Sequence, residues 1–153
     1  MQFRKGVASD APALAQVFYK AVREGPSPYS DAQRAAWMPH PLDPVAFADR
    51  LADKQVMLCE DRGEAIGFMT LEPGGYIDLA SILPPYRGRG VFRTLYVEIE
   101  ALARQENEAR LWVHASLMAQ PAFQAMGFLV MHHETVARAG QQLARAEMEK
   151  HLT

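Results

Sequence analysis

Leu14, Val17, Phe18, Ala21 and Val22 recur three and four residues apart, a spacing that predicts one buried helical face of about three turns. Ahead of it, Gln2 to Val7 reads as a short first strand, with Ser9 and Asp10 as N-cap residues. Gly25-Pro26-Ser27-Pro28 ends the helix. Ser30 and Gln33 form a capping-box pattern, which predicts a second short helix over Asp31 to Trp37, stopped by Pro39. Asp43-Pro44 starts a third, with Phe47 and Leu51 one turn apart.

From Gln55 the period shortens. Val56 to Glu60 and Glu64 to Leu71 read as strands joined at Asp61-Arg62-Gly63, a hairpin composition. After Pro73-Gly74-Gly75, Tyr76 to Leu83 is expected as the third strand of an antiparallel meander. Val91, Leu95, Ile99 and Leu102 then mark the clearest helix, followed by a strand at Leu111 to Ala115 that a crossover would place parallel to the strand before the helix. Pro121 to Met126 fits a short helix closed by Gly127, and Leu129 to Ala137 with Gln141 to Glu149 fits a terminal hairpin about Ala139-Gly140.

The 153 residues suit one domain, 1–153, large enough to bury a core without disulfides. A net charge of -2 argues against general nucleic-acid binding. Without an apolar run of membrane-spanning length or a signal peptide, a soluble, cytoplasmic protein with no membrane partner is expected. The single Cys59 lies within a strand and reads as a buried thiol.

The chemistry concentrates after Leu83. Arg87-Gly88-Arg89-Gly90 runs into a helix whose first N–H groups lack intrahelical partners, and two glycines let the backbone approach a ligand closely. Arg87, Arg89 and Arg93 add charge, so the turn reads as a phosphate cradle. It is not a dinucleotide fingerprint, because Arg93 replaces the third glycine, nor a P-loop, because the Gly-Lys-Ser/Thr end is missing. Tyr29, Trp37 and His40 form an aromatic stretch that suits either a pocket wall or a packed surface helix. His114 and Ser116 alternate on a strand but show no acid partner in the sequence, and the adjacent His132 and His133 point to opposite strand faces, so no metal site is expected.

Arg87-Gly88-Arg89-Gly90-Val91, preceded by Pro84 and Tyr86, resembles the central motif of the GNAT superfamily of acyl-CoA-dependent N-acetyltransferases, and Ala119 with Gly127-Phe128 resembles its second cofactor-side motif. Asp31 to Trp37 together with Gly67 to Glu72 is similar to a bacterial group of acetyltransferases within it. The resemblance covers nearly the whole chain. It implies an α/β fold of the α+β type, with a mixed, mostly antiparallel sheet of about seven strands, splayed at the acetyl-CoA notch and flanked by four to five helices.

It further implies an enzyme that moves an acetyl group from acetyl-CoA to a primary amine, such as a small molecule, by direct attack. A non-catalytic acyl-CoA sensor or scaffold is the alternative, and a homodimer is compatible with either. Backbone N–H groups from Gly88 through Arg89, Gly90, Val91 and Phe92 to Arg93 would hold the pyrophosphate, with Arg87 beside them. The strand edge at Ile82 and Leu83 would pair with the pantetheine arm.

Four positions depart from the family pattern. Phe92 stands where a small residue is usual, Phe123 where a Tyr often protonates the leaving thiolate, and Tyr76 where many members carry a Glu base. Ser116 occupies a position often held by Asn and offers a hydroxyl. Asp78, two residues from Tyr76, is the first candidate base, ahead of Glu72 and His114; Tyr29, Trp37, Glu72 and His114 are expected around the acceptor.

Overall fold

The structure is a computed structural model describing residues 1–153. Eight strands form two four-stranded sheets. The first has the order β1 (Gln2–Lys5), β2 (Gln55–Asp61), β3 (Glu64–Leu71), β5 (Ala80–Ile82) and is antiparallel throughout. The second has the order β4 (Tyr76–Ile77), β6 (Arg110–Ser116), β8 (Gln141–His151), β7 (Leu129–Arg138), with β4 parallel to β6 and the remaining pairs antiparallel. Five helices complete the chain: α1 (Ala11–Arg23), α2 (Asp31–Trp37), α3 (Pro44–Leu51), α4 (Val91–Gln105) and α5 (Gln120–Ala125).

Local chemistry accounts for most boundaries. Ser30 Oγ accepts from Gln33 N at 3.1 Å while the Gln33 side chain accepts from Ser30 N at 2.8 Å, closing the capping box of α2. Asp43 caps α3 through Ala46 N at 3.0 Å, with Pro44 at the first helical position. Arg62 and Gly63 both take positive φ, 54° and 79°, as a tight hairpin turn with the strands' own twist requires.

Asp10 does not cap α1 with its side chain. Its carboxylate accepts from Val7 N at 2.7 Å and from Arg4, fixing a 3-10 turn at Ala8–Asp10, so β1 stops at Lys5 rather than Val7. The expected strand Tyr76 to Leu83 is broken at Asp78-Leu79, and eight strands replace about seven. β4 joins the second sheet and β5 the first, so one short run of chain crosses from sheet to sheet.

Helices cover both faces of the first sheet. Met57, Cys59 and Met69 face α4, whereas Leu58 and Phe68 pack with residues of α1 and α3, and this explains why β2 and β3 read as nearly continuous apolar runs. The second sheet is one-sided. Leu111, Val113 and Ala115 alternate with Trp112, His114 and Ser116, burying the first set in the core and leaving the second half-buried on the opposite face. That polar face is the floor of the candidate site.

Candidate acyl-transfer site

The turn before α4 is built to leave backbone donors free. Gly88 and Gly90 adopt positive φ of 73° and 81°, and an added Cβ at either would meet no atom within 4 Å. Space above both glycines is open. The first intrahelical bond here runs from Thr94 N to Gly90 O at 3.1 Å, so the N–H groups of Val91, Phe92 and Arg93 have no helical acceptor.

Arg87 serves this turn differently from a phosphate ligand. Its guanidinium donates to three carbonyls, Ala21 at 2.8 Å, Ile82 at 3.2 Å and Pro26 at 3.4 Å. Burial, reinforced by nearby Arg34, pulls its pKa below the usual value. Arg87 therefore ties the cradle to α1 and β5. Arg89 stacks on the Tyr86 ring at 5.1 Å.

The two sheets part beside this turn. Leu79 O accepts from Thr70 N, and Leu83 N donates to Ile66 O, so odd-numbered residues of the β5 segment turn their peptide groups toward β3. Antiparallel alternation then turns those of Ala80 and Ile82 toward the gap. On the far side, β4 pairs with β6 only through Trp112 and Val113. Beyond Val113 that flank of β6 has no strand against it. An extended amide-bearing arm fits between two such edges.

A cleft of about 850 Å³ runs through the gap. It brings together Ile82, Arg87, Gly88, Gly90, Phe92 and Arg93 at the cradle with Tyr29, Trp37, Tyr76, Asp78, His114 and Ser116. Val91, Leu83, Arg89 and Glu72 lie outside its lining: Val91 is buried in the core, Leu83 packs against it, and Glu72 lies 3.1 Å from Lys54 Nζ.

Chain matches follow this geometry. Residues 26–152 match the family model described as Acetyltransferase (GNAT) domain. The chain belongs to the GNAT acetyltransferase family. It is 30% identical over 141 residues, 92% of this chain and 89% of the other, to the uncharacterized N-acetyltransferase YafP of Escherichia coli (strain K12). A GCN5-related N-acetyltransferase structure from Rhodopseudomonas palustris superposes with a TM-score of 0.90 at 30% identity, covering 99% of this chain and 95% of that one. The fold is shared with the phosphinothricin acetyltransferase of Sinorhizobium meliloti, solved with acetyl-CoA, at a TM-score of 0.75 and 18% identity over 99% and 88% of the chains. This GNAT is accordingly an N-acetyltransferase.

Its acceptor side differs from the sequence expectation in what surrounds Asp78 and His114. Both Asp78 oxygens are held by Arg50, at 2.9 and 3.1 Å, with Lys54 Nζ 3.8 Å away. Tyr76 Oη lies 2.9 Å from His114 Nδ1. Burial, followed by the negative charge of Asp78, pushes the Tyr76 phenol up to about 12, so it is protonated at neutral pH. The imidazole tautomer sets which of the two donates across this hydrogen bond.

His114 Nε2 sits 3.6 Å from a carboxylate oxygen of Glu134 and 3.6 Å from one of Glu147. These acid partners were not visible in the sequence, because they lie on β7 and β8: Glu147 pairs with His114 across β6 and β8, and Glu134 stands opposite Arg145, one row further on. Trp112, with its ring 4.4 Å from that of Tyr76, supports the phenol from the side.

At the other end of the notch, Ser116 Oγ accepts from Ala119 N at 3.2 Å and stands at the entrance to α5. Phe123 offers no hydroxyl there. Tyr29 Oη donates to Ala144 O at 2.5 Å and accepts from Leu117 N at 3.0 Å, closing the β6–α5 loop against β8. Arg50, Arg138 and Arg145 also line the cleft, and nothing in the sequence singled them out.

Proposed function

We propose that this GNAT moves an acetyl group from acetyl-CoA to the primary amine of a small acceptor by direct attack in a ternary complex. The cosubstrate supplies the activated thioester carbonyl. The open glycine cradle with its free N–H groups suits the pyrophosphate, and the outward peptide groups of Ala80 with the N–H of Ile82, whose carbonyl is taken by Arg87, suit the pantetheine amides.

One observation carries the acid–base assignment: the Tyr76–His114 hydrogen bond inside the cleft, backed by two carboxylates. An incoming ammonium gives its proton to Tyr76 Oη as that hydroxyl passes its own to His114 Nδ1, and the imidazolium is held beside Glu134 and Glu147. Asp78 supports this pair instead of acting as base, since Arg50 occupies both of its oxygens. Ser116, or water held near it, donates to the departing thiolate in place of the missing phenol at Phe123.

Thiol release from acetyl-CoA with a panel of amines tests the reading. Tyr76→Phe and His114→Gln should each lower kcat/KM about 100-fold with CoA affinity retained. CoA binding without thiol release for any amine would instead favour an acyl-CoA sensor.

A further inference from the structure

Acceptor-side charge in the cleft comes from arginine. Asp78 is the one carboxylate in the lining, and Arg50 neutralises it bidentately. Arg87 is committed to three carbonyls and Arg93 stands on α4 beside the cradle. Two cationic side chains at the acceptor end are left without a comparable partner, Arg145 and Arg138.

Register fixes where they stand. Ser116 pairs with Arg145, Arg145 with Glu134, Val136 with Leu143, and Arg138 with Gln141, so both arginines share the face that carries His114. Arg145 lies one row beyond the His114–Glu147 row, about 7 Å along the strand. Its Nη2 reaches Glu134 only at 3.4 Å, and its buried Nε has no hydrogen-bond partner. Arg138 makes a single contact, from Nη1 to the carbonyl of Ala137 at 3.4 Å. Glu134 thus holds the Arg145 guanidinium through one long hydrogen bond, and as a cleft-lining residue Arg145 has N–H donors left over for a ligand oxygen.

We infer that the acceptor is an amine that also carries an anionic group, a carboxylate or phosphate, which Arg145 binds with Arg138 at the outer mouth. This rests on the acetyl-transfer reading for the position of the amine. The amine meets Tyr76 while the anion sits a row away, so both groups belong to one small molecule, as in an amino acid. Val136, Leu143 and Trp37 line the same end and suit an apolar body between or beside them. A purely cationic acceptor such as a polyamine is disfavoured by the Arg138 and Arg145 charges at this end.

Matched acceptors and products separate the two ideas. Thiol release should favour L-phenylalanine over L-phenylalaninamide, and 2-aminoethyl phosphate over ethanolamine, by 10-fold or more in kcat/KM; which pair shows the larger ratio identifies the anion. Arg145→Gln should abolish the preference mainly through KM, and Arg145→Lys should restore part of it. Calorimetry on CoA-loaded protein needs no turnover: N-acetyl-L-phenylalanine should bind at least 10-fold tighter than its amide, and Arg145→Gln should remove the difference. Equal affinity of acid and amide, or a preference unchanged in Arg145→Gln, overturns the anion site. An acid preference in binding with no thiol release from any amine upholds the site and sinks acetyl transfer.

Discussion

Phe92 and Phe123 meet edge to face, with ring centroids 5.0 Å apart and planes at 85°. These are two of the positions at which the chain departs from the GNAT pattern, one on α4 and one on α5, and each fills the space beside the other. Phe128 closes the cluster at 5.0 Å from Phe123. The bulk at position 92 and the missing phenol at 123 are one packing arrangement where α4 and α5 border the cleft.

Phe92→Ala should therefore destabilise the fold by about 2–3 kcal/mol in urea titration, since it removes an aromatic contact and leaves a void against Phe123. CoA affinity should change little, because position 92 contributes its backbone N–H. Phe123→Tyr should raise turnover or leave it unchanged; a large fall would show that the new hydroxyl clashes with Phe92 instead of reaching the thiolate.

Gly90→Val and Arg87→Ala should fail in different ways. The valine side chain projects into open space over the cradle and strains a φ of 81°, so CoA affinity should fall by 10-fold or more in calorimetry. Arg87→Ala strips a donor from three carbonyls and should cost about 1–3 kcal/mol of stability, with a smaller loss of affinity. Unchanged CoA binding in Gly90→Val would remove the cradle from the mechanism.

Much of this architecture was readable from local signals. The capping box at Ser30, the Asp43-Pro44 start, the Arg62-Gly63 turn and the apolar face of α4 are each set by residues within one or two turns of chain. The glycine cradle was legible for the same reason. What stayed hidden depends on pairing between distant strands: Glu134 and Glu147 reach His114, and Arg145 reaches the cleft, only once β7, β8 and β6 are in register. The break at Asp78 was also hidden, because Arg50 and Lys54, which hold it, arrive from α3 and the turn after it.

Asp78→Asn and Tyr76→Phe rank the two acid–base assignments. Asparagine at 78 loses the ion pair with Arg50 and should reduce kcat/KM by no more than about 10-fold, whereas Tyr76→Phe, which cuts the relay to His114, should cost about 100-fold. The pH–rate profile adds a second readout. Removal of the relay should shift activity toward higher pH, where free amine is more abundant, and Asp78→Asn should not. The reverse ranking would return the base to Asp78.

Glu100 links α4 to β8 and predicts an acid-sensitive contribution to stability. Burial opposes its ionisation, but hydrogen bonds from Lys150 Nζ at 2.7 Å and Tyr96 Oη at 2.6 Å, with Arg104 at 3.3 Å, outweigh it and bring its pKa down to about 2. An unfolded Glu titrates near ~4.3, so between that value and about 2 the unfolded chain takes up a proton that the native state refuses. The stabilisation is fully present above the unfolded pKa and is lost as pH falls through the folded one. Because the group is partly solvated, its worth is about 1 kcal/mol rather than the full value of the shift. Urea titrations of the native sequence and Glu100→Gln should therefore differ by about 1 kcal/mol at pH 7 and converge near pH 2. A gap that persists unchanged at pH 2 would mean that packing, and not the ionised Glu100–Lys150 pair, carries the difference.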